Sequence, residues 1–213
     1  MALTFVLGEV HEIVHTTVGR LICGSWGLRD FNSWNICETC TNPYALWATV
    51  AGPVFTFIVI WIGYFMIQKN ESVNSIALGF SLIFASLPFA RILNATLGIG
   101  DEITVLNELL KNHTLAWLIG LVGILLITVF PLIKAYKLIG NKNKIGLFLL
   151  FLLGPTVLYI IVILIFLNTL LSNGVLSDYW ILGSPKLVSV WTFSVLLLLL
   201  TTWRNIYKIS AKN

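Results

Sequence analysis

The sequence predicts an all-α integral membrane protein with about six transmembrane helices. Hydrophobic residues make up 58% of the 213 residues and charged residues only 10%, whereas soluble domains are about one-quarter charged. The apolar residues fall into stretches of roughly 20 residues, the length that an α-helix needs to cross a bilayer. Because such spans use up most of the chain, any activity must lie within the helical bundle itself.

Six apolar stretches predict the six helices. The first three hold nearly all of the polar and small residues, so we expect residues 1–113 to form a three-helix metal-binding core. The last three are rich in Leu and Ile, as lipid-facing helices are, so residues 114–213 are expected to add lipid-facing helices to a single membrane domain, 1–213. The six stretches are 2–23, 46–67, 73–97, 115–139, 145–171 and 187–207.

The first stretch is unusually polar and carries the pattern HEIVH, with His11, Glu12 and His15. It lacks the basic start and uninterrupted apolar centre of a signal peptide, so we expect a retained helix. Residues four apart lie on one face of a helix, so His11 and His15 can bind one metal ion, with Glu12 beside them as a general base. Ionisable groups at membrane depth are costly, and this cost argues that the motif has a function.

A catalytic zinc site has three protein ligands, so a third is expected elsewhere in the core. The third stretch is interrupted by Pro88, and Gly98 and Gly100 precede Asp101 and Glu102. A straight helix would carry Asp101 about 42 Å along its axis, beyond the bilayer, so Asp101 reaches zinc only if the chain bends at Pro88 or at the glycines. Glu102 is the alternative ligand, and both acids could instead cap the next helix.

Three of these elements resemble the site-2 protease family of intramembrane zinc metalloproteases. They are HEIVH in the first span, Ala-Gly-Pro at 51–53 in the second, and a Pro-containing third segment that ends in an acid. The resemblance covers about residues 7–102. Thr56 and Phe57 stand where the family usually has an Asn, and Gly-Asp-Glu replaces the family's Leu-Asp-Gly.

The resemblance implies hydrolysis of a peptide bond within or beside the transmembrane helix of a substrate protein. Zinc held by His11, His15 and Asp101 would polarise the scissile carbonyl group. Glu12 would take a proton from the reacting water and pass it to the leaving amine. A helix hides its carbonyl groups in hydrogen bonds, so the substrate helix must unwind at the cleaved bond.

Arg91 and Asn94 are candidates for binding the unwound strand or the oxyanion, although polar packing inside the bundle would explain them equally well.

Two other functions stay open. One is a catalytically inactive, protease-like scaffold or accessory subunit of a larger complex. The departures from the family pattern favour this function. The other is a transporter or channel with an intramembrane His/Glu relay, and the lack of internal repeats counts against it.

The cationic residues indicate orientation in the membrane rather than binding of nucleic acid, because they are not clustered. With six spans, eight of them lie on the side of the termini and four on the opposite side. We therefore expect both termini in the cytoplasm. The membrane is expected to be the bacterial inner membrane. The eight are Lys69, Lys134, Lys137, Lys142, Lys144, Arg204, Lys208 and Lys212, and the four are Arg20, Arg29, Lys111 and Lys186.

The loop at 24–44 then faces outward and contains the CxxC pair Cys37 and Cys40. On that side of the membrane the two cysteines could be joined by a disulfide. A redox pair or half of a zinc site also fits a single CxxC, so the pattern leaves these readings open.

Overall fold

The structure is a computed structural model that describes residues 1–68 and 71–209. Lys69 and Lys212 lie outside the described residues. The described part is helical and contains only two isolated β-bridges, so the predicted all-α fold is confirmed. The helices are α1 (Ala2–Cys23), α2 (Leu46–Met66), α3 (Val73–Ala85), α4 (Pro88–Thr96), α5 (Asp101–Leu110), α6 (His113–Leu138), α7 (Lys144–Tyr159), a π-helix (Ile160–Leu167), α8 (Asn168–Ser172) and α9 (Lys186–Thr202), with short 3-10 turns at Pro43–Ala45 and Trp203–Ile209.

Five helical segments of the described chain are long and apolar enough to cross a membrane, which indicates a membrane protein. Helix α1 is not among the five. Its 22 residues give it a length of about 33 Å, enough to cross a bilayer, but its polar side chains lower its hydropathy. A sixth span therefore stays a prediction. The five segments are Pro43–Met66, Val73–Thr96, His113–Leu138, Lys144–Ser172 and Lys186–Lys208.

Helix α1 lies inside the bundle, where it contacts α2, α3, α7 and α9. Four of its polar residues, Glu9, His11, Glu12 and His15, are buried. Because protein rather than lipid surrounds these side chains, they can be paired with other polar groups. This position accounts for a helix of membrane-spanning length with so polar a sequence.

The C-terminal helices face outward on one side and enclose α1 on the other. Leu126, Phe166 and Leu197 are each about 60% or more exposed on the outside of the bundle, as lipid-facing side chains would be. On the inner side, Ile163 of the π-helix and Val188 of α9 belong to the same buried cluster as Phe5 of α1. The buried hydrophobic core is thus built from both halves of the chain, and the three-helix metal-binding core stays a prediction.

The third apolar stretch is broken twice. Leu87 adopts a left-handed conformation with φ of 55°, and Pro88 opens α4, a position where the missing N–H of proline costs no hydrogen bond. Gly98 and Gly100 then adopt φ of 73° and 104°, which glycine tolerates without strain, before α5 begins. The chain therefore bends at Pro88 and again at the glycines.

The α1–α2 loop, residues 24–42, folds back into the bundle. Phe31 and Arg29 of this loop are 0% and 2% exposed. Non-helical backbone at membrane depth is tolerated where protein covers it or where it lines a water-filled cavity. The loop is therefore part of the packed interior.

The loop is attached to the end of α1 by a disulfide between Cys23 and Cys40, whose Cα atoms are 5.2 Å apart. Cys37 is a buried free thiol. The possible Cys37–Cys40 disulfide is thus not the one that forms, because the return of the loop brings Cys40 beside the last residue of α1. We call this end of the bundle the disulfide side.

Candidate metal centre

Helix α1 places His11 and His15 one turn apart on the same face, and α5 brings Asp101 to them. The two Nε2 atoms are 3.1 Å apart. Each of them lies 3.4 Å from Oδ2 of Asp101. The structure therefore brings together the three side chains that the sequence predicts as metal ligands.

The spacing of these three atoms fits a tetrahedral metal ion. Zinc with ligand bonds of about 2.0–2.1 Å holds its ligand atoms roughly 3.3–3.4 Å apart. Two imidazoles and one carboxylate are a common donor set for catalytic zinc, and three protein ligands leave the fourth position open. Imidazole and carboxylate ligands also suit iron.

Helix α2 orients both imidazoles. Nδ1 of His15 lies 2.7 Å from the carbonyl oxygen of Ala48. A carbonyl oxygen can only accept, so Nδ1 carries the proton and Nε2 keeps its lone pair for a metal. Nδ1 of His11 lies 2.9 Å from Oγ1 of Thr56. Partners of this kind fix the ring orientation of metal-binding histidines.

The Ala-Gly-Pro segment has a steric role next to the motif. Gly52 is buried, and a methyl group added to its Cα would overlap the imidazole of His15. Only glycine lets α2 approach the ring this closely. Thr56, which stands at a departure from the family pattern, supplies the hydroxyl that pairs with His11.

The two bends in the third stretch determine which acid reaches the histidines. Asp101 is the first residue of α5, directly after the turn at Gly100, and its side chain is 29% exposed. Glu102 points to Arg91, with 3.7 Å between Oε1 and Nη1, and is not one of the three clustered ligands. Asp101 is therefore the better candidate for the third ligand.

Arg91 of α4 lies against the same histidine. Its Nη2 atom is 2.9 Å from Nε2 and 3.0 Å from Nδ1 of His11, so the guanidinium group lies over the face of the ring. Its Nη1 atom is 3.6 Å from Oδ2 of Asp101. Asn94, one turn further along α4, lines the same cavity as Arg91.

Glu12 is buried, and its Oε2 atom has no hydrogen-bond partner among the described residues. Buried polar atoms are normally paired, so this one requires an explanation. Glu12 lines a cavity of about 300 Å³ together with His11 and Asp101. A carboxylate that faces a cavity beside three metal-binding groups can accept a proton there.

Trp34 and Arg29 were not predicted from the sequence as residues of the site. The indole of Trp34 stacks on the imidazole of His15, with ring centroids 5.0 Å apart and planes 10° apart. Arg29 forms a buried ion pair with Glu9 of α1 and donates a hydrogen bond of 3.2 Å to Thr192 of α9. The ion pair of Arg29 with Glu9 could have been suspected from the sequence, because a glutamate in an apolar helix needs a buried partner.

The elements that resemble the site-2 protease family thus meet around His15. HEIVH lies on α1, Gly52 faces the ring from α2, and Asp101 approaches from α5. Comparisons with protein-family models, curated proteins and solved structures found no match to this chain. Membership of the family therefore stays a prediction.

Proposed function

We propose that this chain is an intramembrane zinc metalloprotease that cleaves a membrane-protein substrate within or near its transmembrane helix. One observation supports this most: Nε2 of His11, Nε2 of His15 and Oδ2 of Asp101 converge at tetrahedral spacing beside the unpaired carboxylate oxygen of Glu12. A general base next to a metal with an open position is the arrangement that peptide hydrolysis requires.

Zinc bound by His11, His15 and Asp101 would act as a Lewis acid on the scissile carbonyl group. Glu12 accepts a proton from water as the water oxygen bonds to the carbonyl carbon. It then delivers that proton to the amine nitrogen as the C–N bond breaks. The guanidinium group of Arg91 is near enough to stabilise the negative charge that develops on the carbonyl oxygen.

Asn94 suits the task of holding the substrate backbone. Its side chain carries both a donor and an acceptor, as an extended strand does. It lines the same cavity as Glu12 and Arg91, so a strand bound there would lie beside the reacting groups. Unwinding the substrate helix frees backbone groups that need such partners at membrane depth.

A second function, a catalytically inactive scaffold or accessory subunit, is favoured by the position of Arg91. Its guanidinium group lies within 3.6 Å of both His11 and Asp101. This cation could pair with the polar groups of the cluster without any metal. In that case the cluster would hold the helices together and carry out no hydrolysis.

The proposal includes a location in the bacterial inner membrane with both termini in the cytoplasm and the disulfide side outside. The Cys23–Cys40 disulfide supports this orientation, because disulfides persist in oxidising compartments. Lys137 lies in the last turn of α6 and Lys144 begins α7, both at the end of the bundle opposite the disulfide side. These cations agree with an excess of positive charge on the cytoplasmic side.

The test compares the purified wild type with Glu12→Gln. We expect both proteins to contain one zinc ion by elemental analysis, because Glu12 is not a ligand. Cleavage of candidate single-span substrates should fall by about 10²–10⁴-fold in Glu12→Gln, the range for loss of a general base. Glu71→Gln, which changes an exposed glutamate in the same way, is the matched control and should cleave normally.

Two further outcomes decide between the proposals. Zinc without cleavage by the wild type would favour the scaffold, and absence of zinc would contradict the metalloprotease. Asp101→Asn should lower zinc occupancy, and unchanged occupancy would remove Asp101 from the ligand set.

A further inference from the structure

Three cysteine sulfur atoms lie together at the disulfide side, apart from the candidate metal centre. The Sγ atoms of Cys23, Cys37 and Cys40 are all within 4.8 Å of one another. Cys23 and Cys40 are bonded, and Cys37 is a free thiol. A thiolate exchanges with a disulfide by direct attack on one of the two bonded sulfur atoms. The free thiol is therefore already close to both atoms that it could attack.

The backbone favours Cys40 as the partner of Cys37. The N–H of Cys40 donates a hydrogen bond of 3.0 Å to the carbonyl oxygen of Cys37, which closes a four-residue turn. Such a turn holds its first and last Cα atoms within about 7 Å. Disulfides join Cα atoms that are about 4.4–6.8 Å apart. A bond between Cys37 and Cys40 thus fits the turn with little change in the backbone.

The surroundings of Cys37 favour its thiolate. Cys37 lies in the α1–α2 loop, outside the membrane-spanning helices. Hydrogen bonds from Ser25 and Thr39 lower the pKa of its thiol below the usual value and outweigh the opposite effect of burial. Oγ1 of Thr39 is 3.9 Å from Sγ of Cys37. A larger share of this thiol is therefore in the form that attacks a disulfide.

We propose that the three cysteines form a thiol–disulfide exchange site. The thiolate of Cys37 attacks Sγ of Cys40, the Cys37–Cys40 bond forms, and the Cys23–Cys40 bond breaks. Cys23 leaves as a thiolate and takes up the proton that Cys37 has lost. The number of thiols and of disulfides stays the same, so the step needs neither an oxidant nor a reductant.

The exchange transfers the covalent attachment of the loop from the end of α1 to the loop's own turn. The first part of the loop has another attachment to α1, the ion pair of Arg29 with Glu9. The second part, residues 33–42, contains Trp34, whose indole stacks on His15. Because the disulfide to α1 lies at the end of this second part, its loss leaves Trp34 held less firmly over His15.

Trapping the released thiol tests the exchange in the purified protein. The protein is incubated in detergent with iodoacetamide at mildly alkaline pH, and peptide mass spectrometry identifies the labelled cysteine and the remaining disulfide. We expect label on Cys23 together with a Cys37–Cys40 disulfide, beside direct labelling of Cys37. Cys23 is less buried than Cys37, so the released thiol can be reached. Cys37→Ser, which lacks the attacking thiol, is the control and should show no label on Cys23.

Label confined to Cys37 would overturn the exchange. Label on Cys40 would overturn the choice of Cys40 as the residue attacked. Label on Cys23 in the Cys37→Ser control would show that Cys23 is released without Cys37, which also contradicts the proposal. A rate of Cys23 labelling that rises with protein concentration would place the exchange between molecules and would overturn it within one chain.

Two variants fix the two pairings and test the effect on the loop. Cys37→Ser retains the Cys23–Cys40 disulfide, and Cys23→Ser leaves Cys37 and Cys40 to pair. We expect the amides of residues 33–42 to exchange with deuterium several-fold faster in Cys23→Ser than in Cys37→Ser. Those of residues 24–32 should exchange alike in both.

Equal exchange over 33–42 would overturn the release of Trp34. Failure of Cys37 and Cys40 to pair in Cys23→Ser would overturn the proposed product of the exchange. These measurements use no metal and no substrate, so either result leaves the proposed protease function to its own test.

Discussion

Helix α1 carries two buried polar clusters that differ in how the carboxylate oxygens of their glutamates are paired. In the first, Oε2 of Glu9 accepts hydrogen bonds from Arg29 and, at 2.6 Å, from Oγ1 of Thr192. In the second, which lies one turn further along, Oε2 of Glu12 has no partner within the described chain. Oε2 of Glu9 thus joins α1, the α1–α2 loop and α9 through its two partners, whereas Oε2 of Glu12 is left free to react.

This difference separates stability from chemistry along a single helix. A buried ion pair is costly to break because the remaining charge is left without a partner. A carboxylate that faces a cavity is already exposed to whatever enters it and can change its protonation. Substitutions in the first cluster should therefore lower stability more than metal binding. Substitutions in the second cluster should lower metal binding more than stability.

The largest effect on metal binding is expected for His15→Ala, which removes a ligand and leaves two. Zinc affinity of the purified protein should fall by more than about 100-fold, because loss of a ligand exceeds the loss caused by its supporting partners. Competition with a zinc chelator measures this. His113→Ala, at the exposed start of α6, is the control and should bind zinc as the wild type does. Unchanged zinc affinity in His15→Ala would move the metal centre elsewhere.

The largest effect on stability is expected for Arg29→Met, which leaves the buried carboxyl group of Glu9 without its cationic partner. The free energy of unfolding in detergent should fall by about 3–5 kcal/mol. The double variant Glu9→Gln/Arg29→Met should recover part of this loss, since no charge remains buried. If Arg29→Met unfolds like the wild type, the first cluster does not stabilise the bundle.

A smaller effect is expected for Thr56→Val, which removes the hydroxyl that pairs with Nδ1 of His11. Zinc affinity should fall by about 10–100-fold while all three ligands remain. Thr201→Val, at an exposed position of α9, is the matched control. An affinity equal to that of the wild type would show that the ring of His11 is held without Thr56.

The features of the fold that could be predicted are those that depend on the local pattern of residues along the sequence. The first helix spans 2–23 as expected, because its apolar periodicity is local. The breaks near Pro88 and Gly98 follow from the backbone limits of proline and glycine. They explain how Asp101 comes to lie beside His15, a contact that a straight helix would not allow.

The parts that could not be predicted depend on contacts between distant segments. Trp34 covers His15 and Arg29 pairs with Glu9 only because the α1–α2 loop folds back into the bundle. Because the loop folds back, Cys40 also forms its disulfide with Cys23. The CxxC pattern had suggested Cys37 as the partner of Cys40. No spacing within the sequence specifies that path.

The polar surface of α1 also affects how the protein is made. A charged residue at the centre of a membrane helix costs about 2.5–3.5 kcal/mol on insertion, and α1 contains both Glu9 and Glu12. The strongly apolar α2 can compensate for this cost if the two helices enter the bilayer together as a hairpin. In the six-span arrangement that the sequence predicts, the Cys23–Cys40 disulfide would then close the connection between them after it has crossed, and α1 would be retained by a covalent link where lipid alone would hold it weakly.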